Sequence, residues 1–118
     1  MSLCILGAGK AMSLAASIFT LSWTHTVEGT QWEELWSVSA AGLRIIESRI
    51  KGSGAGMEPT SDVVLQDGWW IYRPQLPAQE RILLAASGRI GGGWTICANG
   101  GCRTLGEVEE GPFILEPC

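Results

Sequence analysis

The chain has 118 residues and a formal charge of −4, a size at which a single domain spanning 1–118 is expected. About a quarter of the residues are Leu, Ile, Val or Phe, well above the composition of a disordered chain and enough for a core that needs no structural metal. Eight Lys and Arg are scattered among twelve Asp and Glu, so a nucleic-acid partner, which demands a concentrated basic face, is not expected.

Residues 11–23 (AMSLAASIFTLSW) form the first apolar run. It is shorter than the roughly 20 residues that cross a bilayer, and only Lys10 precedes it where a signal peptide carries a basic region. The run therefore reads as folded structure, with no membrane span and no visible export signal. Gly7-Ala8-Gly9-Lys10 predicts a hairpin turn between two short strands. From Phe19 to Glu28 the sequence alternates: Phe19, Leu21, Trp23, His25 and Val27 share one face, and Thr20, Ser22, Thr24, Thr26 and Glu28 the other. The block 34–38 alternates again, with Trp36 and Val38 on one side. Residues 43–50 (LRIIESRI) fit a strand or a short helix, and the tight turns around them favour the strand.

Residues 51–62 (KGSGAGMEPTSD) predict an ordered loop. Val63–Leu65, the Asp67-Gly68 turn and Trp69–Tyr72 predict a hairpin, with one indole of Trp69-Trp70 on each face. An extended connection through Pro74 and Pro77 follows. Strands are then expected at 82–85, 94–98, 102–105 and 108–115. The pattern is all-β: a small antiparallel sandwich or partly closed barrel of about nine short strands.

Four cysteines frame the chain. In a hairpin turned by Asn99-Gly100, Cys97 lies opposite Cys102 with Cα atoms about 4.5–5.5 Å apart, which is within disulfide reach. Cys4 and Cys118 would then staple the ends of the domain. Four buried thiols are the alternative state, as in a reducing compartment. A zinc site is disfavoured by C-x4-C spacing with one distant His.

The chemically dense stretch is WTHTVEG, followed by WEELW, with the single histidine of the chain. His25 with Glu28 or Glu34 has the makings of a base or a ligand set. Against this, a histidine on an apolar strand face is commonly a hydrogen-bonded core residue. Hydrolytic chemistry lacks a G-x-S-x-G elbow and a nearby Asp or second His. The glycine-rich run 51–59 matches neither the G-x-x-x-x-G-K-[ST] nor the G-x-G-x-x-G pattern, so nucleotide binding is not expected. Glycines at alternate positions permit close backbone packing.

WTHTVEGTQWEELW, KGSGAGMEP, DGWWIYRP and the late C-x4-C hairpin together resemble the bacterial domain-of-unknown-function family 1850, from Cys4 to Cys118. The family's signature, a His-Ser-Val-Glu strand, a following Glu and a Gly-Ala-Gly loop, falls on His25, Val27, Glu28, Glu34 and Gly54-Ala55-Gly56, with Thr26 in place of the Ser. The resemblance implies association with TRAP-type solute transporters of the TAXI class and a periplasmic setting. It implies no established activity. The expectation is a non-enzymatic binding module that needs no cofactor and no metal. Its recognition site comprises His25, Glu28, Glu34, Gly54, Ala55 and Gly56, with Trp23 and Trp70 as apolar anchors; its partner is a transporter component or that transporter's solute. Arg44, Arg49, Lys51 and Arg73 are the cations available to neutralise the site; an Arg49 or Arg73 pair with Glu28 or Glu34 would make it a structural ion pair.

Overall fold

A computed structural model describes residues 1–25, 29–51, 63–86 and 91–118, and the side chains of these apart from 25, 91 and 92. Eleven strands form among them: β1 (Ser2–Gly7), β2 (Lys10–Ala15), β3 (Ile18–His25), β4 (Thr30–Ser39), β5 (Gly42–Lys51), β6 (Val64–Gln66), β7 (Trp69–Tyr72), β8 (Ile82–Ala86), β9 (Gly91–Ala98), β10 (Gly101–Leu105) and β11 (Glu110–Pro117). No helix occurs in the described residues, so none is long or apolar enough to cross a membrane. The apolar run at 11–23 is divided between β2 and β3.

The strands make two open antiparallel sheets, a sandwich and not a closed barrel. One has the order β2-β1-β11-β8, the other β10-β9-β3-β4-β5-β7-β6. Eleven strands form where about nine were expected, because runs as short as β6 and β7 hold once a longer neighbour supplies their hydrogen bonds. The hairpin turns follow from backbone chemistry. Ala8-Gly9, Asp67-Gly68 and Asn99-Gly100 each have both central residues at positive φ, the arrangement whose twist matches that of paired strands.

The core lies between the sheets. Leu3 and Ile5 of β1 and Phe113 and Leu115 of β11 meet Phe19, Leu21, Trp36, Val38, Leu43, Ile45 and Ile96 from the larger sheet. Burying each such side chain stabilises the fold by roughly 1.5–3 kcal/mol. Phe19 and Trp36, cross-strand partners on β3 and β4, stack with ring centres 6.4 Å apart. The Trp94 indole of β9 donates a 2.9 Å hydrogen bond to the Ala85 carbonyl of β8, tying the sheets together at a second level.

The ambiguous segment 43–50 is strand β5, and its departure from strict alternation has a specific cause. Pairing with β4 passes from Leu35↔Glu47 to Trp36↔Ile45, so Ile46 is an extra residue in a β-bulge. Leu43 and Ile45 are buried, Ile46 is exposed, and Ile50 is buried again. One inserted residue shifts the inward phase from 43 and 45 to 48 and 50, so Leu43, Ile45 and Ile50 share a face that strict alternation would divide. Lys51, expected in the loop, is the last residue of β5.

Both cysteine pairs are bridged. Cys97 faces Cys102 across the β9–β10 hairpin with Cα atoms 4.1 Å apart, and Cys4 joins Cys118 across a sequence separation of 114.

Candidate functional site

The seven-stranded sheet is three strands wider than its partner. None of the residues in the buried cluster belongs to β6 or β7, so that flank projects past the cover of the smaller sheet. Strand register lays out the inner face as rows. Phe19, Trp36 and Ile45 form the core row; Leu21, Glu34, Ser48 and Tyr72 the next; Trp23, Trp32, Ile50, Trp70 and Leu65 the one beyond. Glu34 thus stands on the apolar face, between a core row and an aromatic row.

The aromatic row is well packed at its β3 end. Trp23 stacks on Trp32 at 5.8 Å and 12°, and meets Trp94 at 4.9 Å in a tilted arrangement. The Trp32 Nε1 is buried with no hydrogen-bond partner among the described residues. Trp70 stands three strands from Trp23, about 14 Å away at the usual spacing, and the two indoles flank the sheet's inner face as separate walls.

Glu34 is half-buried, and the Trp36 Nε1 donates a 3.2 Å hydrogen bond to its Oε1. Burial pushes its carboxyl above the ordinary carboxylate range, overriding the opposite pull of the Trp36 hydrogen bond. No Lys or Arg pairs with it among the described residues. Instead Arg49 reaches Glu47 at 2.6 Å and Arg73 reaches the same carboxylate at 3.6 Å. Those three side chains lie on the outer face, because Glu47 and Arg49 alternate with Ser48 and Ile50. The guanidinium groups considered as neutralising partners for Glu34 are therefore engaged on the other side of the sheet.

Of the residues singled out in the sequence, Glu34 and Trp23 come together on adjacent rows, and Trp70 shares their face at a distance. The backbone of His25 pairs with Thr30 at the end of β3. The His25 side chain, Glu28, and Gly54, Ala55 and Gly56 lie outside the described residues, as does the rest of the loop predicted at 52–62. No three His, Cys, Asp or Glu side chains converge among the described residues.

Sequence reasoning missed the outer face of the same sheet. A hollow of about 320 Å³ opens there, lined by the outward residues Ser22, Thr24, Gln31, Glu33, Thr95 and Trp69 together with Trp23, Trp32 and Gly93. Its signal in the sequence is the polar phase of the alternation in β3 and β4.

Residues 19–105, about three-quarters of the chain, match the family described as Domain of unknown function (DUF1850). The matched span is shorter than the Cys4–Cys118 resemblance, leaving out β1, β2 and β11. No curated protein and no solved structure matches the chain.

Proposed function

The chain belongs to the DUF1850 family, and from that premise we propose a non-catalytic binding module of a bacterial TAXI-type TRAP solute-transport system. The observation that carries the reading is Glu34: a half-buried carboxylate without a cationic partner among the described residues, held on an aromatic-walled face that outruns the opposing sheet. A carboxylate in such a place is costly to ionise. A cationic or hydrogen-bond-donating group of a bound partner would offset that cost, and Trp70 and Leu65 supply apolar contact beside it. On sequence grounds His25, Glu28 and the Gly54–Gly56 loop complete the site, with Trp23 as the inner anchor. The partner is a component of the transporter, or its solute.

The test is co-purification of the tagged chain with the solute-binding and membrane subunits of a TAXI-type system from the same cell. A stable complex is expected, weakened at least tenfold, or about 1.4 kcal/mol, by Glu34→Ala and by Trp70→Ala, and unchanged by Glu47→Ala on the outer face. Failure to retain any transport component, or retention indifferent to Glu34 and Trp70, overturns the reading.

The Trp36 hydrogen bond favours a second reading, in which Glu34 serves only to satisfy a buried indole. Under it, Glu34→Ala lowers stability and leaves partner retention at the level of a stability-matched core variant.

A further inference from the structure

The outer-face hollow has its own chemistry, on the side of the sheet opposite Glu34. Two neighbouring rows build it. One runs Thr95, Ser22, Glu33, Arg49, Ile71, and the other Thr24, Gln31, Lys51, Trp69. The β3–β9 register shifts between Ser22 and Thr24, and Gly93 sits at that bulge with φ +73. A Cβ there would stand 2.4 Å from the Leu105 carbonyl oxygen, so no larger residue fits without moving backbone. The bulge interrupts the β3–β9 ladder beside Ser22 and Thr95, and glycine at 93 lets it pass close to the Leu105–Glu107 backbone.

The lining combines three hydroxyls, one carboxamide and one carboxylate with three tryptophans, of which Trp69 stands on the outer-face row and Trp23 and Trp32 on the inner one. Its size is at the lower end of small-molecule pockets, which run roughly 300–1,000 Å³. Trp69 is half-buried, and two cations lie near its ring: the Lys51 Nζ is 5.6 Å and the Arg49 guanidinium carbon 6.0 Å from the ring centre. Arg49 is committed to Glu47, whereas Lys51 has no carboxylate within 4.0 Å among the described residues.

We propose that this hollow binds a hexose-sized saccharide and that Lys51 gives it a preference for a sugar carrying a carboxylate. The apolar C–H face of a pyranose suits the Trp69 indole. Glu33 accepts from sugar hydroxyls, Gln31 both donates and accepts, and Ser22, Thr24 and Thr95 adjust to either role. The sugar carboxylate meets the Lys51 ammonium beside the ring. A neutral sugar keeps every contact except that one.

The experiment titrates D-glucuronate and D-glucose separately into the intact chain at low salt, following heat and tryptophan fluorescence. Glucuronate should bind with saturation in the millimolar range or tighter, and glucose roughly five- to tenfold more weakly. Trp69→Ala should weaken both at least tenfold. Lys51→Gln, an exposed substitution that leaves the packing intact, should bring glucuronate down to the level of glucose and leave glucose unchanged. Absence of saturation by either sugar up to about 50 mM, or binding that both variants leave unaltered, overturns the proposal. Because the site lies on the opposite face, its failure leaves the Glu34 reading standing, and Glu34→Ala should not change sugar binding.

Discussion

Glu34 shows how one residue's environment sets its chemistry. Its neighbour Glu33 points to the outer face, toward hydroxyls and solvent, while Glu34 points into the layer between Leu21 and Ser48. Burial raises the folded-state pKa of Glu34 above its unfolded value, so the folded protein holds the proton more tightly. At acid pH, where the carboxyl is protonated in both states, it imposes no ionisation penalty. The penalty accumulates as pH rises through the unfolded value and is complete above the folded one. Glu34→Gln keeps an acceptor for the Trp36 indole and removes the charge. It should therefore raise the denaturation midpoint at pH 8, with the gain shrinking toward zero near pH 4. Chemical denaturation of both proteins across that range checks the sign, and a gain that grows on acidification would contradict it.

At the scale of an element, β5 is the most informative. A single bulge residue lets a ten-residue strand keep Leu43, Ile45 and Ile50 on the buried side while Ile46 faces water. The adjacent isoleucines should respond very differently to truncation. Ile45→Ala removes buried methylenes and leaves a cavity, at a cost of about 2–4 kcal/mol, whereas Ile46→Ala should stay within about 1 kcal/mol. Equilibrium unfolding of the two variants measures this directly; equal losses would mean that the bulge is placed wrongly. The same strand also anchors the connection that follows β7. Leu43 exchanges two backbone hydrogen bonds with Gln79, at 2.7 and 2.8 Å. A Cβ on Gly42 would fall 2.2 Å from the Gln79 carbonyl oxygen, so this position accepts only glycine.

For the whole molecule, the two disulfides act on very different scales. In the chain-entropy account, the Cys4–Cys118 bridge, with a separation of 114, restricts the unfolded ensemble by about 5 kcal/mol. The Cys97–Cys102 bridge, with a separation of 5, restricts it by about 2 kcal/mol. Replacing Cys4 and Cys118 together by Ser should therefore cost more stability than replacing Cys97 and Cys102, by roughly 2–3 kcal/mol. Urea titration of the two double variants under oxidising conditions tests the order. The asymmetry of the sheets matters at this scale too. A four-stranded sheet leaves one flank of a seven-stranded sheet beyond its cover, so Trp70 and Leu65 of that flank lie outside the buried cluster.

Much of the fold was legible because its determinants are local. Alternation in 19–25, the turns at Ala8-Gly9, Asp67-Gly68 and Asn99-Gly100, and the pairing of Cys97 with Cys102 depend only on residues a few positions apart. The family was legible from the same short segments. The strand order β10-β9-β3-β4-β5-β7-β6 was not, because it joins segments far apart in the chain whose individual patterns fit several neighbours equally well. That order determined that Glu34 faces an aromatic row and that Arg49 and Arg73 meet Glu47. It also placed hydroxyls of β3 and β9 and Trp69 of β7 on one face, where they line the same hollow. A sequence specifies which residues alternate and where the chain reverses, through sterics acting over a few bonds. Which face is covered, and which charges become neighbours, is decided only when distant strands pair and one sheet falls short of the other.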